Sequence, residues 1–187
     1  MTALLATVFA FGALAGCTST QTGGTPTTGA QTTSDKPTSD GSDTGLSIAK
    51  FVSAPCTILK PDQVATLGSV KAPAPGTGLL GPNCTWDGQN VIKNSSYTVN
   101  VTADKDFDDM VNNVKNDPVF TDKKLNGIRV ITTDSVDGEL ACMSSVQVSK
   151  TDSVTVQVSA SADERATKKD CPEAERVAQL IITNLKG

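Results

Sequence analysis

Five cysteines are the side chains of this sequence best equipped for chemistry, and the residue types missing around them narrow what that chemistry is. The chain has no histidine. The commonest general base and metal ligand is therefore missing, along with every Ser-His or Cys-His nucleophile pair. No C-x-x-C spacing occurs among Cys17, Cys56, Cys84, Cys142 and Cys171, so a thiolate metal site lacks its usual pattern. Asp104, Asp106, Asp108 and Asp109 form the densest acidic cluster. A calcium loop would need glycine where Asp109 stands and a closing glutamate where Lys115 stands. These acids are read instead as the amino end of a helix, where its dipole favours negative charge. Asp134, Asp137 and Glu139 surround Gly138 as a solvated turn. Ser144 and Ser145 have no base nearby and no nucleophile elbow around them. Asp163, Glu164, Arg165, Lys168 and Lys169 read as mixed-sign loop residues. No catalytic residue, metal or cofactor is assigned, and a carboxylate hydrolase would need two acids that meet only in the fold.

Cys17 differs from the other four cysteines in its surroundings. Residues 3–16 are apolar or small apart from Thr7, and Leu4, Leu5, Val8, Phe9, Phe11 and Leu14 give the length of a signal-peptide core, short of the ~20 residues that span a bilayer. The run ends in Leu14-Ala15-Gly16-Cys17, which resembles the lipobox of bacterial lipoproteins. That resemblance implies a diacylglycerol thioether on Cys17, cleavage before it, and acylation of the new amino group; two or more chains hold a membrane firmly where one does not. No Lys or Arg precedes the apolar run, and the expected start codon lies upstream of Met1.

Residues 18–45 contain ten Thr, four Ser and five Gly and no large apolar side chain, so they bury too little to fold. As a flexible coil they reach roughly 30 Å. The expected organisation is thus a lipoprotein signal peptide over 1–16, the lipidated cysteine and tether over 17–45, and an extracytoplasmic domain over 46–187. With 16 basic and 20 acidic residues and no basic stripe, the chain is not read as a nucleic-acid binder.

Within that domain, Pro61 to Gly68 reads as a short helix with proline in its first position, a terminating glycine, and Leu59 and Val64 as its hydrophobic staple. Tyr97, Val99 and Val101 alternate with polar residues as a half-buried strand. Phe107, Met110, Val111 and Val114 have helical spacing, with Pro118 beyond the end. Residues 128–132 are strand-like. Cys142, Val146 and Val148 share one strand face, and Val154, Val156 and Val158 another, with a polar hairpin between. Asp170-Cys171-Pro172-Glu173 is a capping-box-like start to a helix whose apolar stripe is Ala174, Val177, Ala178, Ile181 and Leu185. The expectation is an α+β fold, an antiparallel sheet packed with helices in the rough order α-β-β-α-β-β-β-α.

With Cys17 acylated, four cysteines remain in an exported domain, which indicates two disulfides. Three pairings are open, and Cys56–Cys84 with Cys142–Cys171 is favoured. The candidate ligand contacts are Leu79, Leu80 and Trp86. The leucines lie in a long Pro/Gly-rich stretch from Lys71 to Pro82, where they either meet a ligand or fold back on the sheet. Trp86 either stacks on a ligand or packs beside Cys84 in the core.

Pro55-Cys56-Thr57-Ile58-Leu59, Pro61, Val64-Ala65-Thr66-Leu67-Gly68, Cys84-Thr85-Trp86, Gly127-Ile128, Cys142 and Asp170-Cys171-Pro172-Glu173-Ala174, in that order, resemble the actinobacterial lipoproteins of the domain-of-unknown-function 3558 family over residues 46–187. The resemblance implies export, lipidation and the two nearest-neighbour disulfides, and it brings no activity. The expected role is a non-catalytic binding module on the outer face of the cytoplasmic membrane. Its partners would be that membrane through the anchor and an envelope protein, glycan or lipid. A carrier or sensor of an apolar small molecule is the alternative.

Overall fold

Alternating side chains along a strand point to opposite faces, so every strand of a sheet must satisfy two environments at once. The computed structural model describes residues 44–186. The expected signal peptide, Cys17 and all but the last two tether residues lie outside the described residues. Seven strands form one antiparallel sheet: β1 (Ala74–Gly78), β2 (Gly81–Trp86), β3 (Ser96–Thr102), β4 (Val119–Leu125), β5 (Ile128–Asp134), β6 (Ala141–Gln147) and β7 (Ser153–Ser159). Their spatial order is β1-β2-β3-β7-β6-β5-β4. The helices are α1 (Ala49–Val52), α2 (Pro61–Ala65), α3 (Phe107–Val114) and α4 (Asp170–Leu185), with a 3-10 turn over Pro55–Thr57.

The register sorts the two faces. Cys84, Val99, Val156 and Ser144 lie opposite one another on the inner face, and Tyr97, Val158 and Cys142 make the next row. Against this face α4 lays its stripe of Ala174, Val177, Ala178, Ile181, Ile182 and Leu185, all buried with Val130, Val146 and Val154 in the main core. Each such fully buried aliphatic side chain is worth about 1.5–3 kcal/mol over leaving it in water. The amino-terminal segment through α2 closes the β1–β3 end of the same face with Phe51, Ile58, Leu59 and Leu67. Asn184 Nδ2 of α4 donates to the Ile58 carbonyl at 2.8 Å and ties the two coverings together.

The outer face is mostly hydroxyl and amide. One row across the sheet runs Asn83, Asn100, Thr155, Ser145, Ile131, Asp122. Among the described residues only α3 lies over it, through a second, smaller cluster of Phe107, Val111 and Ile131 flanked by Met110, Val114 and Phe120.

The elements read from periodicity are present, and the structure adds others. Residues 71–82, expected to be a long loop, hold β1 and the start of β2, joined by a two-residue turn at Leu79-Leu80 between paired Gly78 and Gly81. Gly81 takes φ 113°, and a Cβ there would come within 2.6 Å of the Val101 carbonyl, so this turn needs glycine. β4 also went unread; it joins β5 through Asn126-Gly127, both at positive φ. Asp170 does not cap α4. The cap position falls on Lys169, and the buried Asp170 carboxylate instead accepts the Ala160 amide at 3.1 Å. Glu173, expected to complete the capping box, turns to Tyr97 and Arg176.

Both disulfides are the expected pairs. Cys56–Cys84 joins the 3-10 turn to β2, and Cys142–Cys171 joins β6 to the first turn of α4. With sequence separations of 28 and 29 residues, each restrains a loop worth ~3.5 kcal/mol in the chain-entropy account. Replacing either pair by serines should lower unfolding stability in urea by about 2–5 kcal/mol, and non-reducing peptide mapping should recover only these two linkages. A peptide joining Cys56 to Cys142 or Cys171 would contradict the fold.

Candidate functional site

A two-turn helix cannot cover a seven-stranded sheet, and a concavity opens along the edge where α3 stops. Local chemistry fixes α3 at both ends. Asp106 caps it, its carboxylate accepting the Asp108 amide at 2.9 Å and the Asp109 amide at 3.2 Å. The acidic cluster is thus a helix start. The β6–β7 turn holds the same end, with the Lys105 and Phe107 amides donating to the Thr151 and Lys150 carbonyls at 2.8 and 2.9 Å. Arg129 of β5 donates to Asp108 at 2.7 Å and to Asp122 at 2.8 Å, and stands over the Phe107 ring. Its pKa is raised further by those two carboxylates, Asp122 first. Just past the helix end, Thr133 Oγ1 donates to Asp117 Oδ2 at 2.6 Å.

The hairpin tip supplies the opposite wall. Thr102 Oγ1 donates to the Leu80 carbonyl at 2.6 Å, and Lys105 Nζ reaches the Leu79 carbonyl. These bonds turn Leu80 inward and leave Leu79 95% exposed. Between α3 and Leu80 lies a cleft with two adjoining lobes. The outer lobe, about 390 Å³, is lined by Thr102, Lys105, Asp106, Asp109, Asn113 and Ser153 together with Leu80 and Met110. The inner lobe, about 130 Å³, is walled by Leu80, Met110, Val114, Ile131 and Met143 over Ser145 and Thr155. The floor hydroxyls are already paired, Ser145 with Thr155 at 2.9 Å. A site of this kind binds by apolar contact and orients by its polar mouth.

The three candidate ligand contacts do not converge. Leu80 lines the cleft, Leu79 stands outside it, and Trp86 lies on the other face of the sheet at 0% exposure. Trp86 contributes instead to a separate pocket of about 270 Å³ with Cys56, Leu59, Pro61, Val64 and Pro73, and its indole Nε1 has no hydrogen-bond partner. Met110, Val114, Ile131 and Met143 were not among the expected site residues. Met110 and Val114 were visible as a helical stripe, but periodicity identifies the apolar face of a helix without showing how much of it is covered.

Glu164 and Lys168, expected to be loop residues, belong to a half-buried network. Glu164 Oε2 accepts from the Ser95 amide and hydroxyl at 2.8 and 2.6 Å, and Lys168 Nζ donates to Glu164 at 3.3 Å and to the Tyr97 hydroxyl at 3.1 Å. That hydroxyl lies 2.9 Å from Glu173 Oε1 and 3.1 Å from the Leu67 carbonyl. Burial first, and then Glu173, push the Tyr97 phenol far above its ordinary value. Glu173 is held below the usual carboxylate range because the hydrogen bonds from Arg176 and Tyr97 outweigh its burial. Glu164 is likewise lowered against its burial, by Ser95 and then Lys168. Each charged group here is occupied in joining α4, β3 and the end of α2, and none faces the cleft. Ser144 is buried against Thr132 at 3.0 Å. Among the described residues no three His, Cys, Asp or Glu side chains are placed to hold a metal ion.

Asp170 is different, because one of its oxygens, Oδ1, is buried without a partner. Burial pushes its carboxyl up to about 6 against the pull of the Ala160 amide and Arg165, with Asp134 and Glu173 adding repulsion. The folded state therefore holds a proton there that the unfolded chain releases near 3.8. From this group, stability falls as pH rises between those two values and is flat on either side. Asp170→Asn should match the protein near about pH 4 and exceed it by about 1–3 kcal/mol above about pH 7. Urea unfolding across that range checks this; a variant equally or more destabilised at neutral pH would refute it.

Comparison with curated proteins and with solved structures returns no match. One family model, described as a protein of unknown function (DUF3558), matches residues 12–184, a span that contains all four disulfide cysteines and both walls of the cleft, and the chain belongs to that family.

Proposed function

We propose that this chain is a lipid-anchored extracytoplasmic protein whose domain binds a ligand without transforming it, with the cleft between α3 and the β1–β2 tip as its seat. The anchor rests on the lipobox-like Leu14-Ala15-Gly16-Cys17 and on the cysteine count, since acylation of Cys17 leaves four thiols for two bridges. The observation that carries the binding role is the half-covered outer face: its one helix leaves Met110, Val114 and Met143 only partly buried beside an open lobe. The non-catalytic reading is supported by where the perturbed acids sit. Glu164 and Glu173 are spent on ion pairs, and Asp170 is sealed beneath the β7–α4 loop.

Two measurements test this. Metabolic labelling with an alkyne fatty acid should mark the chain, and Cys17→Ala should lose the label and leave the membrane fraction. In the same cells, a photo-crosslinking residue at Asn113 on the cleft rim should form an adduct that the same residue at Gln179, exposed on α4, does not. Label that persists in Cys17→Ala would refute the anchor. Equal adducts from both positions, or none from Asn113, would refute the seat.

A further inference from the structure

The two lobes of the cleft differ in the chemistry they offer. In the inner lobe the polar atoms are largely engaged: Ser145 and Thr155 bond each other at 2.9 Å, which leaves one hydroxyl hydrogen of the pair over, and Thr133 is bonded to Asp117 at 2.6 Å. The rest of the lining is Leu80, Met110, Val114, Ile131 and Met143. A group entering there meets mostly apolar surface, so an alkyl segment fits and a charged one is penalised. Met110 and Met143 are two of the chain's three methionines, the third being Met1. Their unbranched, polarizable side chains adapt to a flexible chain better than branched ones do.

The outer lobe is polar, and its lining carries two acids, Asp106 and Asp109, to one base, Lys105. Lys105 is engaged with the Leu79 carbonyl and Asp106 with the helix amides, whereas the Asp109 carboxylate has no partner among the described residues. An anionic head group would therefore meet repulsion here with no lining lysine free to answer it, whereas hydroxyls can bond Asp109 and Asn113.

The described chain begins at Thr44, whose hydroxyl donates to the Val148 carbonyl beside the β6–β7 turn. The same turn holds Lys105 and Phe107 at the mouth of the outer lobe. The outer lobe therefore opens at the end of the sheet that carries Thr44.

From these observations we infer that the cleft takes a single-chain amphiphile whose head is not anionic, its alkyl segment in the inner lobe and its hydroxylated head in the outer one. This rests on the cleft being the binding seat, and it adds the class of ligand. The test uses residues 18–187, which include every described residue, with calorimetric titration of 1-monodecanoylglycerol, decanoate and glycerol below any micelle threshold. The glyceride should saturate at one per chain, decanoate should bind at least about tenfold more weakly, and glycerol should not bind. Met143→Trp, which fills the inner lobe, and Leu80→Asp, which charges its wall without entering the core, should each weaken the glyceride by about tenfold or more. Leu140→Ser, in the β5–β6 loop at the far end of the sheet, should leave it unchanged. Absence of saturation, equal binding of decanoate, or binding indifferent to both cleft variants would overturn the assignment. If Asn113 forms adducts in cells while the glyceride fails to bind, the seat stands and the amphiphile falls; if both fail, both fall.

Discussion

The outer face of the sheet has too little helix to cover it, and most of this molecule's character follows from that shortage. Seven strands at about 4.8 Å spacing span roughly 29 Å, whereas one helix with its side chains is about 10 Å across. On the inner face the deficit is met by α4, 16 residues long, together with the whole segment before β1. On the outer face, among the described residues, there is only α3, 8 residues long. Water must reach the rest, so the strands there carry Asn83, Thr85, Thr98 and Gln157 where a two-sided core would need aliphatics. Small clamps hold α3 in place of broad packing: an Asp106 cap, the Arg129 bonds to Asp108 and Asp122, and Thr133 to Asp117. Surface ion pairs of this kind contribute little each, about 0–1 kcal/mol. The buried Phe107, Val111 and Ile131 add the apolar part of the helix's seat.

The inner face shows the opposite economy. α4 is fastened at its amino end by the Cys142–Cys171 bridge, by Glu173 between Arg176 and Tyr97, and by Asp170 reaching the Ala160 amide. Close packing around the bridge leaves so little room that a Cβ on Gly138 would lie 3.0 Å from Cys171 Sγ. This concentration of polar bonds explains why a loop with five charged residues is not simply solvated. Its carboxylates and ammonium close the end of the core that aliphatic side chains do not reach.

Legibility from sequence followed the environment of each element. Where one face is buried and the other wet, as in β3 and α4, the apolar period was sufficient. β4 escaped notice because it is an edge: Thr121, Asp122, Lys123 and Lys124 are all exposed, and such residues guard an open strand against further pairing. Its one readable mark was Asn126-Gly127, the dipeptide that suits a hairpin turn with two positive φ values. β1 carries Ala, Pro, Gly, Thr and Gly and no apolar period to detect. The Glu164–Lys168 pair was visible at i,i+4 spacing, but its purpose depends on Ser95 and Tyr97, about 70 residues away. Of the cleft, Leu80 was anticipated and its companions were not. A cleft is a property of uncovered area, and no local pattern encodes area.

The disulfides and the cleft also divide the sheet between them. Cys142–Cys171 secures β6, which floors the inner lobe through Met143 and Ser145, from the inner face, and Cys56–Cys84 does the same for β2 beside the hairpin tip. Their outer-face hydroxyls are matched across strands, as Ser145 is with Thr155 and Thr85 with Thr98. A floor braced and satisfied in this way has no need of a ligand to hold its shape, and binding would then cost only the adjustment of α3 and of the Leu79-Leu80 tip. On the proposed reading that arrangement supports reversible binding. The side chains that wall the inner lobe are leucine, methionine, valine and isoleucine, while Tyr97 and Asp170, both with pKa values pushed upward by burial, lie on β3 and α4, neither of which walls it.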